Sequence, residues 1–186
     1  MRKKLQAWGS LPAVLFSLFL FIYCPSFSQG GPDPAFGNAG IVTTNIGFGA
    51  TSEVVNAIAL QPDGKIVAVG YVMPFANSSQ RFFNVARYNP DGTLDAGFGT
   101  GGLVRTDFGT EQFPTDGHAT DVEILDDGSI LVVGHVTGNP DNTRKIALAL
   151  YQPNGALQTS FGSGGKLFVG ENLVGYSTDA FLTMQG

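Results

Sequence analysis

The side chains with the most chemistry to offer gather in one stretch. "TDGHATDVE" (115–123) places His118 near Asp116, Asp121 and Glu123. An imidazole and two or three carboxylates are a ligand set that suits a divalent transition metal. A solvated loop explains the same residues, and the acidic cluster is absent from the corresponding stretch "GATSEVVNA" (49–57), so no metal is assigned. The other histidine, His135, ends the run "ILVVGH" and lines up with Tyr71 at the end of "IVAVGY", as a packed or edge aromatic would. A Ser-His-Asp hydrolase lacks its G-x-S-x-G elbow. No carboxyl lies in an apolar context that would raise its pKa for glycoside hydrolysis. Tyr71, Phe75, Phe82 and Phe113 flank loops, where rings can stack on sugars, but rings there also fill a core. The expectation is a chain that is not an enzyme, with no catalytic or metal residues, no cofactor and no assigned ligand residues.

Composition agrees with a packed, turn-rich chain. Of 186 residues, 43% are apolar and 13% charged, with 26 Gly and 15 Phe, a mixture suited to short strands joined by turns. Arg2, Lys3 and Lys4 precede an apolar run over 11–23 and then "CPSFSQG". That order describes a signal peptide over residues 1–28, cleaved before Gln29. The run is too short to span a bilayer, so no membrane span is expected after its removal. Cys24, the one cysteine, follows Tyr23 rather than the small residue that lipid modification favours. Without residues 1–28 the charge is near −8 (seven Lys plus Arg against fifteen Asp plus Glu). The cations are scattered and form no basic stripe, which argues against nucleic acid.

What must position these side chains is a repeat. "FGNAGIVTT" (36–44), "FGTGGLVRT" (98–106) and "FGSGGKLFV" (161–169) start 62 and then 63 positions apart. "RFFNVARYNPDG" (81–92) and "RKIALALYQPNG" (144–155) keep the step, with Arg81 over Arg144 and Tyr88 over Tyr151. "AIALQPDGKIVAVGYV" (57–72) and "DVEILDDGSILVVGHV" (121–136) put Gly70 over Gly134. Internal self-similarity of this kind marks repeat architectures.

Each copy reads as four strands, in the first over 57–61, 65–72, 83–88 and 102–108. Asp63-Gly64, Asp91-Gly92, Asp127-Gly128 and Asn154-Gly155 are hairpin signals. The alternating oxygen ligands of a calcium loop are absent around them. "IVAVG" and "ILVVG" are continuously apolar, so both faces of that strand are buried. Antiparallel sheets covered on both faces stack around an axis, which describes an all-β partial β-propeller built from four-stranded blades with a repeat of about 63. A linear solenoid would need shorter, parallel repeats. The expected boundaries are 29–186 for the partial propeller, with an outer strand at 36–46, blade one at 53–108, blade two at 117–170 and the start of blade three at 176–186. The recurring Phe-Gly phrase wedges its ring between blades, and its glycines turn the chain into the next strand. It is no phosphate cradle, because a strand follows it rather than a helix.

"DAGFGTGGLVRTDFG", "IALQPDGKIVAVGY" and "NVARYNPDGTLD" resemble the delta-60 repeat, a β-propeller-like family of large exported bacterial proteins, over about 33–186. The second copy departs mildly, with "LDDG" for "QPDG". The resemblance implies secretion or cell-surface placement within a longer protein, and it brings no catalytic residues. The expected function is a non-enzymatic binding or scaffold module that meets a protein or glycan ligand alongside further blades of the same polypeptide. The alternative is a fragment of a polysaccharide-active propeller enzyme whose catalytic residues lie outside this chain.

Overall fold

The computed structural model describes residues 31–45, 52–73, 80–109, 115–138 and 143–169. The leader read at 1–28 lies outside them, as do Phe75, Phe113 and the segment 176–186. All described residues except Gly31 belong to the unit Pro32–Gly186.

The strands are β1 (Ser52–Leu60), β2 (Ile66–Met73), β3 (Phe82–Tyr88), β4 (Leu103–Thr106), β5 (Thr115–Ile124), β6 (Ile130–Gly138), β7 (Thr143–Tyr151) and β8 (Lys166–Val169). They form two four-stranded antiparallel sheets, ordered β1-β2-β3-β4 and β5-β6-β7-β8. Hairpin chemistry sets that order. In all four Asx-Gly turns the Asx Oδ1 accepts from the backbone N–H two residues on, at Lys65, Thr93, Ser129 and Ala156. The glycines between sit at φ 81–89°, open to them without a Cβ penalty.

Registers correspond between the sheets. Ile66 faces Tyr88 and Ile130 faces Tyr151. A bulge at Asn56 interrupts β1 and one at Thr120 interrupts β5. β1 therefore starts five residues before the expected Ala57: past the bulge, pairing resumes and runs out to Ser52. The bulge also explains Gly70 and Gly134. A Cβ there would lie 1.8 Å from the Val54 carbonyl oxygen or 2.0 Å from that of His118, so only glycine admits the close approach.

The core joins the two sheets. Val67, Val69, Phe83 and Val85 of the first pack with Ala119, Ile130, Val132 and Ala147 of the second, all buried. The Phe-Gly phrase fastens one sheet to the next. Phe98 is fully buried, and its ring would lie 3.0 Å from a Cβ at Gly155. Gly99 N–H donates to the Asn154 carbonyl at 2.8 Å. The Thr106 and Tyr151 hydroxyls meet at 2.7 Å in the buried interface. Residues 36–44 repeat this contact on the first sheet. Gly37 N–H donates to the Asp91 carbonyl at 2.8 Å, Phe36 faces Gly92, and the Tyr88 hydroxyl donates to Thr44 at 2.9 Å. Among the described residues 36–45 pair with no named strand. They occupy, against β3 and its turn, the place that the wedge and fourth strand occupy one copy later.

Candidate functional site

Strand alternation brings a polar cluster to one edge of the sheet interface. Asp116 and His118 are two apart on β5 and share a face. His118 pairs across the strands with His135 on β6, as Val54 pairs with Tyr71 in the first sheet. The His118 and His135 rings stack at 4.8 Å with a 15° interplanar angle. On its other side His118 meets the Tyr71 ring at 4.5 Å, across the boundary between sheets. Two arginines from equivalent positions close the row. Arg81 lies 5.3 Å from the Tyr71 centroid, and Arg144 Nη2 is 2.9 Å from His135 Nε2. The row runs Arg81, Tyr71, His118, His135, Arg144.

Asp116 is the acid of this row. Its oxygens accept from Arg81 Nη1 at 3.1 and 2.9 Å, and His118 Nε2 stands 3.4 Å away. Burial pushes its carboxyl upward, but hydrogen bonding and charge from His118 and Arg81 outweigh this and hold it below the ordinary value. His135 is lowered to about 4, first by burial and then by the charges of Arg144 and His118, against a smaller opposing pull from Asp116. It is a neutral ring at neutral pH. Arg144 therefore donates to an imidazole acceptor.

This arrangement suits aromatic packing and charge pairing. Of the residues considered for a metal, the structure joins His118 to Asp116 only. Asp121 and Glu123 lie further along β5, opposite Val133 and Leu131. Among the described residues no group of three His, Cys, Asp or Glu side chains could hold an ion. Tyr71 sits in the row, and Phe82 is buried with the Arg105 guanidinium 4.8 Å above its ring.

A second polar cluster lies inside the interface, and sequence reasoning missed it. Asp95 Oδ2 accepts from Arg87 Nε at 2.8 Å and pairs with Lys65 Nζ at 3.1 Å. The Lys65 contact leads the effects that hold Asp95 below the usual carboxylate range. Arg87 also stacks 4.5 Å from the Phe98 centroid and donates to the Pro153 carbonyl of the second sheet. The second copy has Leu150 and Gln158 at these places, so the charges are not part of the repeated pattern. The polar row was more legible. The alignments of Arg81 with Arg144 and of Tyr71 with His135 signalled places used alike in each copy.

Two segments of the chain match one known family. Residues 61–98 and 125–161 match a family profile described as a β-propeller domain of unknown function, DUF5122. Each matched segment starts at the turn after the first strand and ends on the wedge phenylalanine, Phe98 or Phe161. The match supports a propeller-like repeat family for these segments. It spans Tyr71, Arg81, His135 and Arg144 but not Asp116 or His118. No curated protein and no solved structure matches the chain. Among the described residues no helix is long and apolar enough to cross a membrane.

Proposed function

We propose that the two sheets are successive blades of a β-propeller with a repeat of about 63 residues. On this reading the chain is a non-enzymatic, exported segment of a bacterial surface or secreted protein, acting as a binding or scaffold module. The observation that carries the reading is the interface made twice, by Phe36-Gly37-Thr44 on Asp91-Gly92-Tyr88 and by Phe98-Gly99-Thr106 on Asn154-Gly155-Tyr151. A contact that passes from each copy to the next builds a stacked array, and such arrays present extended binding surfaces. The basic-then-apolar leader and the resemblance to the delta-60 repeat support export. The ionised state of Asp116 favours a structural acid over a proton donor. Its ligand is a protein or a glycan.

The test is to incubate the exported protein with a panel of polysaccharides and follow both retention and released reducing ends. Retention without release is the expected result. Release of reducing ends by this chain overturns the non-enzymatic reading. Amino-terminal sequencing of the same sample should start at Gln29, and a lipidated Cys24 at the terminus would refute cleavage at that point.

A further inference from the structure

We propose that Arg144, at the end of the polar row, binds the carboxylate of a small organic acid such as a sugar acid. A difference between the two copies carries this. Arg81 and Arg144 hold the same place in the repeat, and each lies beside the equivalent ring, Tyr71 or His135. Arg81 has its acid. Its Nη1 donates to both oxygens of Asp116, at 3.1 and 2.9 Å, across the boundary from the start of β3 to β5. Arg144 Nη2 donates to His135 Nε2 at 2.9 Å, and among the described residues no carboxylate pairs with its guanidinium. In the sequence, setting Thr178-Asp179 on Thr120-Asp121 puts Val174 at the place of Asp116, so the third copy writes no acid there.

Donors exceed acceptors at this end of the row. His135 Nε2 accepts from Arg144, so the proton of the neutral ring sits on Nδ1, and that N–H is buried without a partner. A buried donor left in this state calls for an acceptor. Nε is buried and unpartnered in both arginines. That leaves Nη1, the atom that holds Asp116 in the first copy, as the group for the ligand. Arg144 and His135 are each half-buried, as is Thr137 opposite Arg144, so the pair is open enough to be reached. A partly desolvated guanidinium makes short, charge-assisted bonds to carboxylate oxygens. One guanidinium beside a neutral ring offers a single positive charge, which matches a carboxylate better than a phosphate dianion. The first copy shows the same place filled by that chemistry.

The inference rests on the binding-module reading and names the ligand chemistry of one site in it. The test titrates the full chain at pH 7 with galacturonate, acetate, galactose or sodium chloride, following the Arg144 side-chain and His135 ring signals by NMR. Galacturonate and acetate should move both signals saturably, and galactose should not. Tighter binding of galacturonate identifies a sugar acid as the source, and equal binding a simple organic acid. Arg144→Gln should weaken carboxylate binding about tenfold or more, the worth of a charge-assisted hydrogen bond. Arg144→Lys, which keeps the charge and loses the planar fork, should weaken it less. Signals that stay still in the unaltered chain, or that chloride moves equally, overturn the proposal, as does unchanged affinity in Arg144→Gln. Retention of polysaccharide without any carboxylate effect removes this site alone. A carboxylate effect without retention removes only the polysaccharide as ligand.

Discussion

β3 and β7 are third strands of sheets with the same strand order and corresponding registers, yet they are buried differently. β3 is buried at six of its seven positions, while β7 alternates between buried and half-buried over its second half. β1 and β5 differ in the same sense. Val55, Ile58 and Leu60 on β1 are 60%, 70% and 71% exposed, whereas Ala119 and Val122 on β5 are buried. The apolar pattern is common to both copies. What differs is whether a sheet has a neighbour on that side, so in a stacked array burial belongs to the interface rather than to the strand.

The largest test of this comparison uses the wedge. Phe98→Ala removes a ring that both sheets enclose, and we expect a loss of about 3–5 kcal/mol in denaturant unfolding. Phe161→Ala, at the same place one copy later, should cost less than about 1 kcal/mol, because the described residues offer it no second sheet. Equal losses would break the comparison.

Next comes the first strand. Gly117→Val presses a side chain into the Phe83 ring and should cost ~1–3 kcal/mol through overpacking. Glu53→Val, the equivalent change on β1, faces no sheet and should stay within about 0.5 kcal/mol.

A smaller effect separates Tyr71 from His135, its counterpart. His135 falls from 6.5 to about 4 on folding. Between those values the unfolded chain binds the extra proton, so this contribution is intact above pH 6.5 and is lost as pH falls toward 4. The loss should be about 1 kcal/mol once the partial exposure of the ring is allowed for. His135→Tyr, which makes the second copy match the first, should flatten the acid limb of the melting temperature against pH. An unchanged acid limb would refute the neutral, buried ring.

The smallest effect on folding concerns the open face. Ile58→Lys should leave the unfolding midpoint nearly unchanged but lower the average mass of the chain at high concentration in light scattering, since exposed apolar patches drive association. An unchanged mass would show that this face is not sticky.

Sequence alone determined the local structure, because its causes are local. Asx-Gly pairs close hairpins through bonds two residues long, continuous apolar runs mark strands covered on both faces, and the step from Phe36 to Phe98 to Phe161 shows that the pattern recurs. Arg81 and Arg144, or Tyr71 and His135, could be paired by alignment before any fold was known. Tertiary structure decided which copies touch. Only stacking sets His118 against Tyr71, brings Arg87 to the Pro153 carbonyl, and turns Asp116 into the partner of Arg81. None of these pairs has a fixed short spacing along the chain, so no motif could announce them. The bulges at Asn56 and Thr120 belong to the same class. They show in the sequence only as glycines at 70 and 134, whose reason is a carbonyl on the neighbouring strand.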